Sequence, residues 1–106
     1  MFDALEVTLQ VLERLAPLEV RIRRKSASLG KQLSDASESI ALNLGEGRDR
    51  RDGDQRRHYE MACGSAGEVT TALRVAVVKR YITADDFAAI DPLLDRVRAM
   101  LWRLTH

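Results

Sequence analysis

The sequence predicts an all-α fold, an up-down antiparallel four-helix bundle, and three observations carry that prediction. Apolar residues recur at spacings of three and four through four long segments, which marks amphipathic helices rather than strands. Only two prolines and six glycines punctuate the 106 residues, too few for the frequent turns of an all-β chain. Aromatic residues make up 5% of the chain and apolar residues 45%. The core must therefore come from Leu, Val, Ile and Ala, which suits helices that approach closely.

A chain of this length is expected to form a single domain, residues 1–106. Its first helix is predicted over roughly residues 3–24, where Leu5, Leu9, Leu12, Leu15 and Leu18 form one apolar stripe. Pro17 lies inside that stretch, and proline removes a backbone donor and clashes with the preceding turn, so a kink or restart is expected there. The second helix, roughly 26–46, places Leu29, Leu33, Ala36, Ile40 and Leu44 on one face. Ser26 or Ser28 is suited to cap its start, and Gly47 to stop it. Gly45 in its last turn weakens the helix and suggests a close backbone approach.

Residues 47–54 read as a polar connection. The third helix, roughly 54–80, carries Tyr59, Ala62, Ala66, Val69, Leu73 and Val77 toward the core. The small residues Gly64, Ser65, Ala66 and Gly67 cost it helix propensity, so a tight packing partner is expected against them. Thr83-Ala84-Asp85-Asp86 resembles a capping box for a fourth helix over roughly 84–105. Phe87, Ile90, Leu94, Val97, Leu101 and Leu104 supply its stripe, with a kink or restart expected at Asp91-Pro92. Short connections make successive helices antiparallel.

The motif Leu29-x-x-Gln32-Leu33-x-x-Ala36-x-x-Ser39-Ile40-x-x-Asn43-Leu44-x-Glu46-Gly47 precedes Tyr59-x-x-Ala62-x-Gly64-Ser65-x-x-Glu68 and a closing Tyr81-Ile82. In this order and separation the two motifs resemble the bacterial four-helix bundle family of 23S rRNA intervening-sequence proteins, over nearly the whole chain. The resemblance implies a ring-like homopentamer. It also implies kinship with the accessory proteins of diversity-generating retroelements, which associate with a reverse transcriptase and with nucleic acid. Asp35 stands where a basic residue is usual, and the acid after Pro17 falls at Glu19.

Asn43 and Glu46 share a helical face, as do Ser65 and Glu68. With the second and third helices antiparallel, these residues and Ser39 are expected to form a polar seam that satisfies buried groups and fixes register. No His-x-x-x-His or Glu-x-x-His pair accompanies His58 and His106, so no metal site of the di-iron bundle kind is expected. Cys63, the single cysteine, excludes an intramolecular disulfide and reads as a small buried hydrophobe. No Gly-rich phosphate loop follows a strand. No catalytic residue, cofactor or enzymatic activity is expected.

The net charge is +1, so its distribution matters more than its sum. Arg21, Arg23, Arg24, Lys25 and Lys31 occur together with no acid among them. They are the foremost candidates for phosphate contact. Arg48, Arg50, Arg51, Arg56 and Arg57 are interleaved with Glu46, Asp49, Asp52 and Asp54. They are expected to form a salt-bridged turn first and secondary contacts second.

Two functions fit these features. One is a non-catalytic oligomer that binds DNA or RNA without sequence preference through counterion release. The other is a scaffold or adaptor ring that holds a protein such as a polymerase or reverse transcriptase without touching nucleic acid. No apolar run approaches the length of a membrane span. Met1-Phe2-Asp3-Ala4 lacks a basic n-region, and a cytoplasmic location without membrane partners is expected.

Overall fold

Ser26 alone separates the first two helices of the computed structural model, which describes residues 2–106 and leaves Met1 outside. The helices are α1 (Asp3–Lys25), α2 (Ala27–Arg48), α3 (Asp52–Val78) and α4 (Ala84–Thr105). No strand occurs among the described residues. The chain reverses on one residue because Ser26 serves both helices. Its N–H donates to the Ile22 carbonyl at 2.8 Å, and its Oγ accepts from the Leu29 N–H at 3.1 Å. Two orphan groups of adjoining helix ends are thereby satisfied at once.

Side-chain contacts fix the directions of the helices. Ser39 pairs with Ser65 and Asn43 with His58, so numbers rise along α2 as they fall along α3. Arg56 reaches Thr105 while Arg98 reaches Thr70, so α3 and α4 are also antiparallel. Each helix packs on two neighbours, α1 on α2 and α4, α3 on α2 and α4. The result is an up-down bundle 42 × 24 × 20 Å in extent.

Packing rotated α1 away from the predicted stripe. Its core face is Ala4, Val7, Thr8, Val11, Leu15, Leu18 and Ile22, whereas Leu9 is 45% exposed and Leu5 and Leu12 are half-buried. Both stripes satisfy helical spacing and share Leu15 and Leu18, so the period alone does not choose between Leu5, Leu9 and Leu12 and the buried Val7, Thr8 and Val11. The expected stripes of the other helices reach the core at Leu33, Ala36, Ile40 and Leu44, at Tyr59, Ala62, Ala66, Val69 and Leu73, and at Ile90, Leu94, Val97 and Leu101.

Neither proline interrupts its helix. Pro17 lies within continuous α1 and Pro92 within continuous α4, both on the exposed side, where ring and unbonded carbonyl meet solvent instead of a neighbouring helix. Gly47 does not terminate α2, which continues to Arg48. It is buried inside the helix because a Cβ there would lie 2.8 Å from Tyr59 Cε1.

The turn from α3 to α4 is a Schellman motif. The Arg80 N–H donates to the Val77 carbonyl at 3.0 Å and the Tyr81 N–H to Ala76 at 2.9 Å. Arg80 takes the left-handed φ of 62° that this closure demands. The capping box expected at Thr83 is present: Asp86 N–H donates to Thr83 Oγ1 at 3.0 Å, and Thr83 N–H donates to Asp86 Oδ2 at 2.8 Å.

That backbone hydrogen bond, with Arg21 at 3.0 Å adding to it, holds the Asp86 carboxyl below the usual carboxylate range. A carboxyl depressed in the folded state stabilises the fold above its ordinary value of 3.8 and loses that contribution as pH falls through the lower folded value. Asp86→Ala is therefore expected to cost about 1 kcal/mol at neutral pH, a fall in Tm of about 4–8 °C. Thermal melts of the two proteins across pH should converge below the ordinary aspartate value.

Candidate nucleic-acid interface

The antiparallel path gathers the end of α1, the start of α2, the end of α3 and the start of α4 at one end of the bundle. Arg23, Arg24 and Lys25 occupy the last turn of α1, where positive charge suits the carbonyl end of the helix dipole. All three are exposed, and among the described residues none has an ion-pair partner.

Arg21 and Lys31 are held differently. Arg21 bridges to Asp86 on α4 at 3.0 Å. Lys31 pairs with Asp35 one turn on at 2.7 Å, and this hydrogen bond raises its pKa. Asp35 thus ties up one cation of the predicted cluster.

Two residues missing from the predicted set join it. Lys79 and Arg80, at the end of α3, are exposed and have no ion-pair partner among the described residues. Their distance in sequence from Arg23 hid them, although the predicted up-down topology already implies that they share an end with it. Asp85 is the exposed acid of the same end.

The second predicted set lies at the opposite end, separated by the length of α2, about 33 Å for 22 residues. Its arginines are largely engaged. Arg50 pairs with Glu46 and, at 3.5 Å, with Asp54. Arg57 pairs with Asp54 at 3.0 Å. Arg56 pairs with Glu60 at 2.8 Å and donates to the Thr105 carbonyl at 3.0 Å. Arg48 approaches Asp49 at 3.8 Å. Arg51, at the N-cap position of α3, is exposed without such a partner among the described residues.

The Arg50 guanidinium holds the Glu46 carboxyl below its ordinary range, and Arg57 does the same for Asp54. The α2–α3 turn is a network of short-range ion pairs. In one subunit it cannot form a continuous surface with the α1–α2 corner.

The polar seam lacks the two expected glutamates and includes His58, which the sequence had not placed in it. Ser65 Oγ donates to Ser39 Oγ at 2.8 Å. Asn43 Nδ2 donates to the Ser39 carbonyl at 3.0 Å and to its Oγ at 3.1 Å. The Asn43 Oδ1 then faces His58 Nδ1 at 3.0 Å, which assigns the proton to that nitrogen.

Glu46 and Glu68 lie outside this chain. Glu46 turns to Arg50, and Glu68 borders an open depression of about 560 Å³ on the outer face of α2 and α3. The chain Ser65–Ser39–Asn43–His58 cross-links α2 to α3 and leaves no buried side-chain donor or acceptor unpaired among the described residues. It sets register between the two helices, as buried polar networks do when fully satisfied.

The family model of the 23S rRNA-intervening sequence protein matches residues 3–103. The chain is similar in fold to a crystallised protein of unknown function from the S23 ribosomal protein family of Bacteroides thetaiotaomicron. That likeness has a TM-score of 0.88 at 19% sequence identity and covers 96% of this chain and 97% of the other. No curated protein sequence matches the chain.

Proposed function

The chain belongs to the 23S rRNA-intervening sequence protein family, and on that premise we propose that it is a non-catalytic, self-assembling bundle that binds nucleic acid through phosphates. The observation that carries this reading is the unpaired cationic end: Arg23, Arg24, Lys25, Lys79 and Arg80 are exposed together. Unpaired cations on one surface release condensed counterions from a polyanion, and this yields affinity without sequence preference. With few aromatic side chains, stacking on bases contributes little.

The proposal extends the family resemblance to a homopentamer in the cytoplasm, in which the cationic end is repeated around a ring. Arg21 flanks the contact and ties α1 to α4 through Asp86, and Lys31 flanks it while paired with Asp35 of its own helix. Arg48, Arg50, Arg51, Arg56 and Arg57 belong to the opposite end and serve the fold first.

Fluorescence anisotropy of labelled duplex and single-stranded DNA and RNA, titrated at several salt concentrations, tests this reading. Sub-micromolar binding at low salt, falling linearly in log–log form with a slope of several released ions and indifferent to sequence, is the expected result. Absence of binding at low salt refutes phosphate recognition and leaves the protein-adaptor role in its place.

A further inference from the structure

The tight partner expected against the small residues of α3 is supplied at Ser65 and Ala66, which are buried, but not at Gly67. A Cβ there would meet no atom within 4 Å. The space so left belongs to a cleft of about 270 Å³ between α3 and α4. Cys63, Ala66 and Gly67 form its α3 side, and Arg98, Leu101 and Trp102 line it from α4. Sites for drug-sized ligands run from about 300 to 1,000 Å³, so a cleft just below that range suits one or two fused rings.

The lining defines the chemistry of such a ligand. Trp102 is 60% exposed, and its indole stacks on the His106 imidazole with ring centroids 3.4 Å apart and planes at 16°. Both rings line the cleft. An exposed flat pair of this kind offers its π surface to a further planar ring. Cys63, half-buried on the opposite side, adds a polarizable sulfur that packs well against a ring edge.

Arg98 supplies the polar anchor. Its Nη1 donates to Thr70 Oγ1 at 2.8 Å, and its Nη2 to Asp91 Oδ1 at 2.9 Å and Asp95 Oδ1 at 3.4 Å. These bonds hold the guanidinium in place before any ligand arrives. A guanidinium has five N–H donors and no acceptor, so donors remain, the Nε–H among them. Two carboxylates already balance its charge, and a further anion would have to compete with them. An uncharged acceptor does not.

We propose that the α3–α4 cleft binds one free, uncharged 6-oxopurine, a guanine- or hypoxanthine-type nucleoside. The base stacks on the Trp102–His106 pair with its carbonyl and adjacent ring nitrogen toward Arg98. Those two acceptors share one edge of the base and are the pair that arginine matches. Adenine sets an amino group, a donor, against donors. A pyrimidine presents a smaller face for stacking. The cleft is remote from the phosphate surface, since Cys63 lies about 22 Å along α3 from Val78 at the cationic end. Its ligand is therefore a separate molecule, and the site does not rest on phosphate binding.

Trp102 and Cys63 are the single tryptophan and the single cysteine, so the unmodified protein carries two reporters of occupancy. Guanosine and inosine at up to millimolar concentration are expected to quench Trp102 fluorescence saturably and to slow alkylation of Cys63 by iodoacetamide. Adenosine should bind at least about tenfold more weakly. Trp102→Ala removes an exposed ring, so circular dichroism should match the parent while Cys63 protection needs about tenfold more guanosine or beyond. Arg98→Gln presents an amide that both donates and accepts, the pattern adenine requires. It is expected to reverse the preference toward adenosine, a change that loss of a merely structural contact would not produce.

Absence of both quenching and protection with guanosine would overturn the site. So would equal binding of guanosine and adenosine by the parent, or full protection in Trp102→Ala. Quenching by a guanine-containing oligonucleotide but not by guanosine would overturn the free ligand. Because guanosine carries no phosphate, its binding together with a flat anisotropy titration would leave the cleft standing and refute phosphate recognition alone.

Discussion

Reversing Arg23 and Arg24 to glutamate is expected to weaken binding to duplex DNA and RNA by on the order of 100-fold at about 50 mM salt, equally for every sequence. Each phosphate contact releases about 0.9 counterion, so loss of two flattens the log–log salt slope by about 2. Among the described residues neither arginine has an ion-pair partner, and both sit in the last turn of α1, so their removal breaks no such link between helices. The fold should lose only the favourable dipole interaction, a few tenths of a kcal/mol per charge at an exposed helix end.

The paired reversal Arg56→Glu/Arg57→Glu at the other end supplies the contrast. Those side chains already face Glu60 and Asp54, so a smaller change in affinity and a larger change in stability are expected. Anisotropy with a salt series, run beside thermal melts, separates the two. Equal binding by the Arg23/Arg24 variant and the parent would remove the cationic end from the function.

Gly30→Ala is expected to destabilise the bundle by about 1–2 kcal/mol, whereas Gly45→Ala, in the same helix, is expected to stabilise it by up to ~1 kcal/mol. Both replacements favour helix by the same intrinsic amount. The difference is tertiary. A Cβ on Gly30 would lie 2.9 Å from the Cα and Cβ of Arg23 and 3.1 Å from its backbone nitrogen.

Two of those atoms belong to the helical backbone of α1 and the third is a Cβ fixed to it, so none can turn aside as the far end of a flexible side chain would. A Cβ on Gly45 meets nothing within 4 Å. Denaturant unfolding at equal protein concentration reads both changes directly, and a shift of 1 kcal/mol corresponds to about 4–8 °C in Tm for a domain of this size. Stabilisation by both would mean that the helix corner relaxes freely. Gly30 also seats Arg23, so the alanine variant should perturb binding as well as stability.

The polar residues show how far a motif reaches without coordinates. Ser39, Asn43 and Ser65 were legible as a seam because antiparallel helices bring their faces together. Glu46 and Glu68 share those faces by spacing, yet one turns to Arg50 and the other to an open depression. His58 completes the chain in their stead. A one-turn spacing fixes a side of a helix to within about a third of its circumference. That is too coarse to choose between a carboxylate and an imidazole at the same height.

The helices, their order and their direction were legible along the chain, because hydrophobic period, capping residues and short connections are local properties. Ser26, the Thr83–Asp86 box and the core stripes of α2, α3 and α4 could be read in that way. Tertiary structure alone decided which stripe of α1 entered the core, since two stripes satisfy the same period and only the space between four helices discriminates. It also decided which glycines are packed. Gly30 and Gly47 touch a neighbouring helix, while Gly45, Gly64 and Gly67 do not. It placed Lys79 and Arg80 at the same end of the bundle as Arg23 and set the two arginine clusters at opposite ends, because distance between helices is a property of packing and not of spacing along the chain.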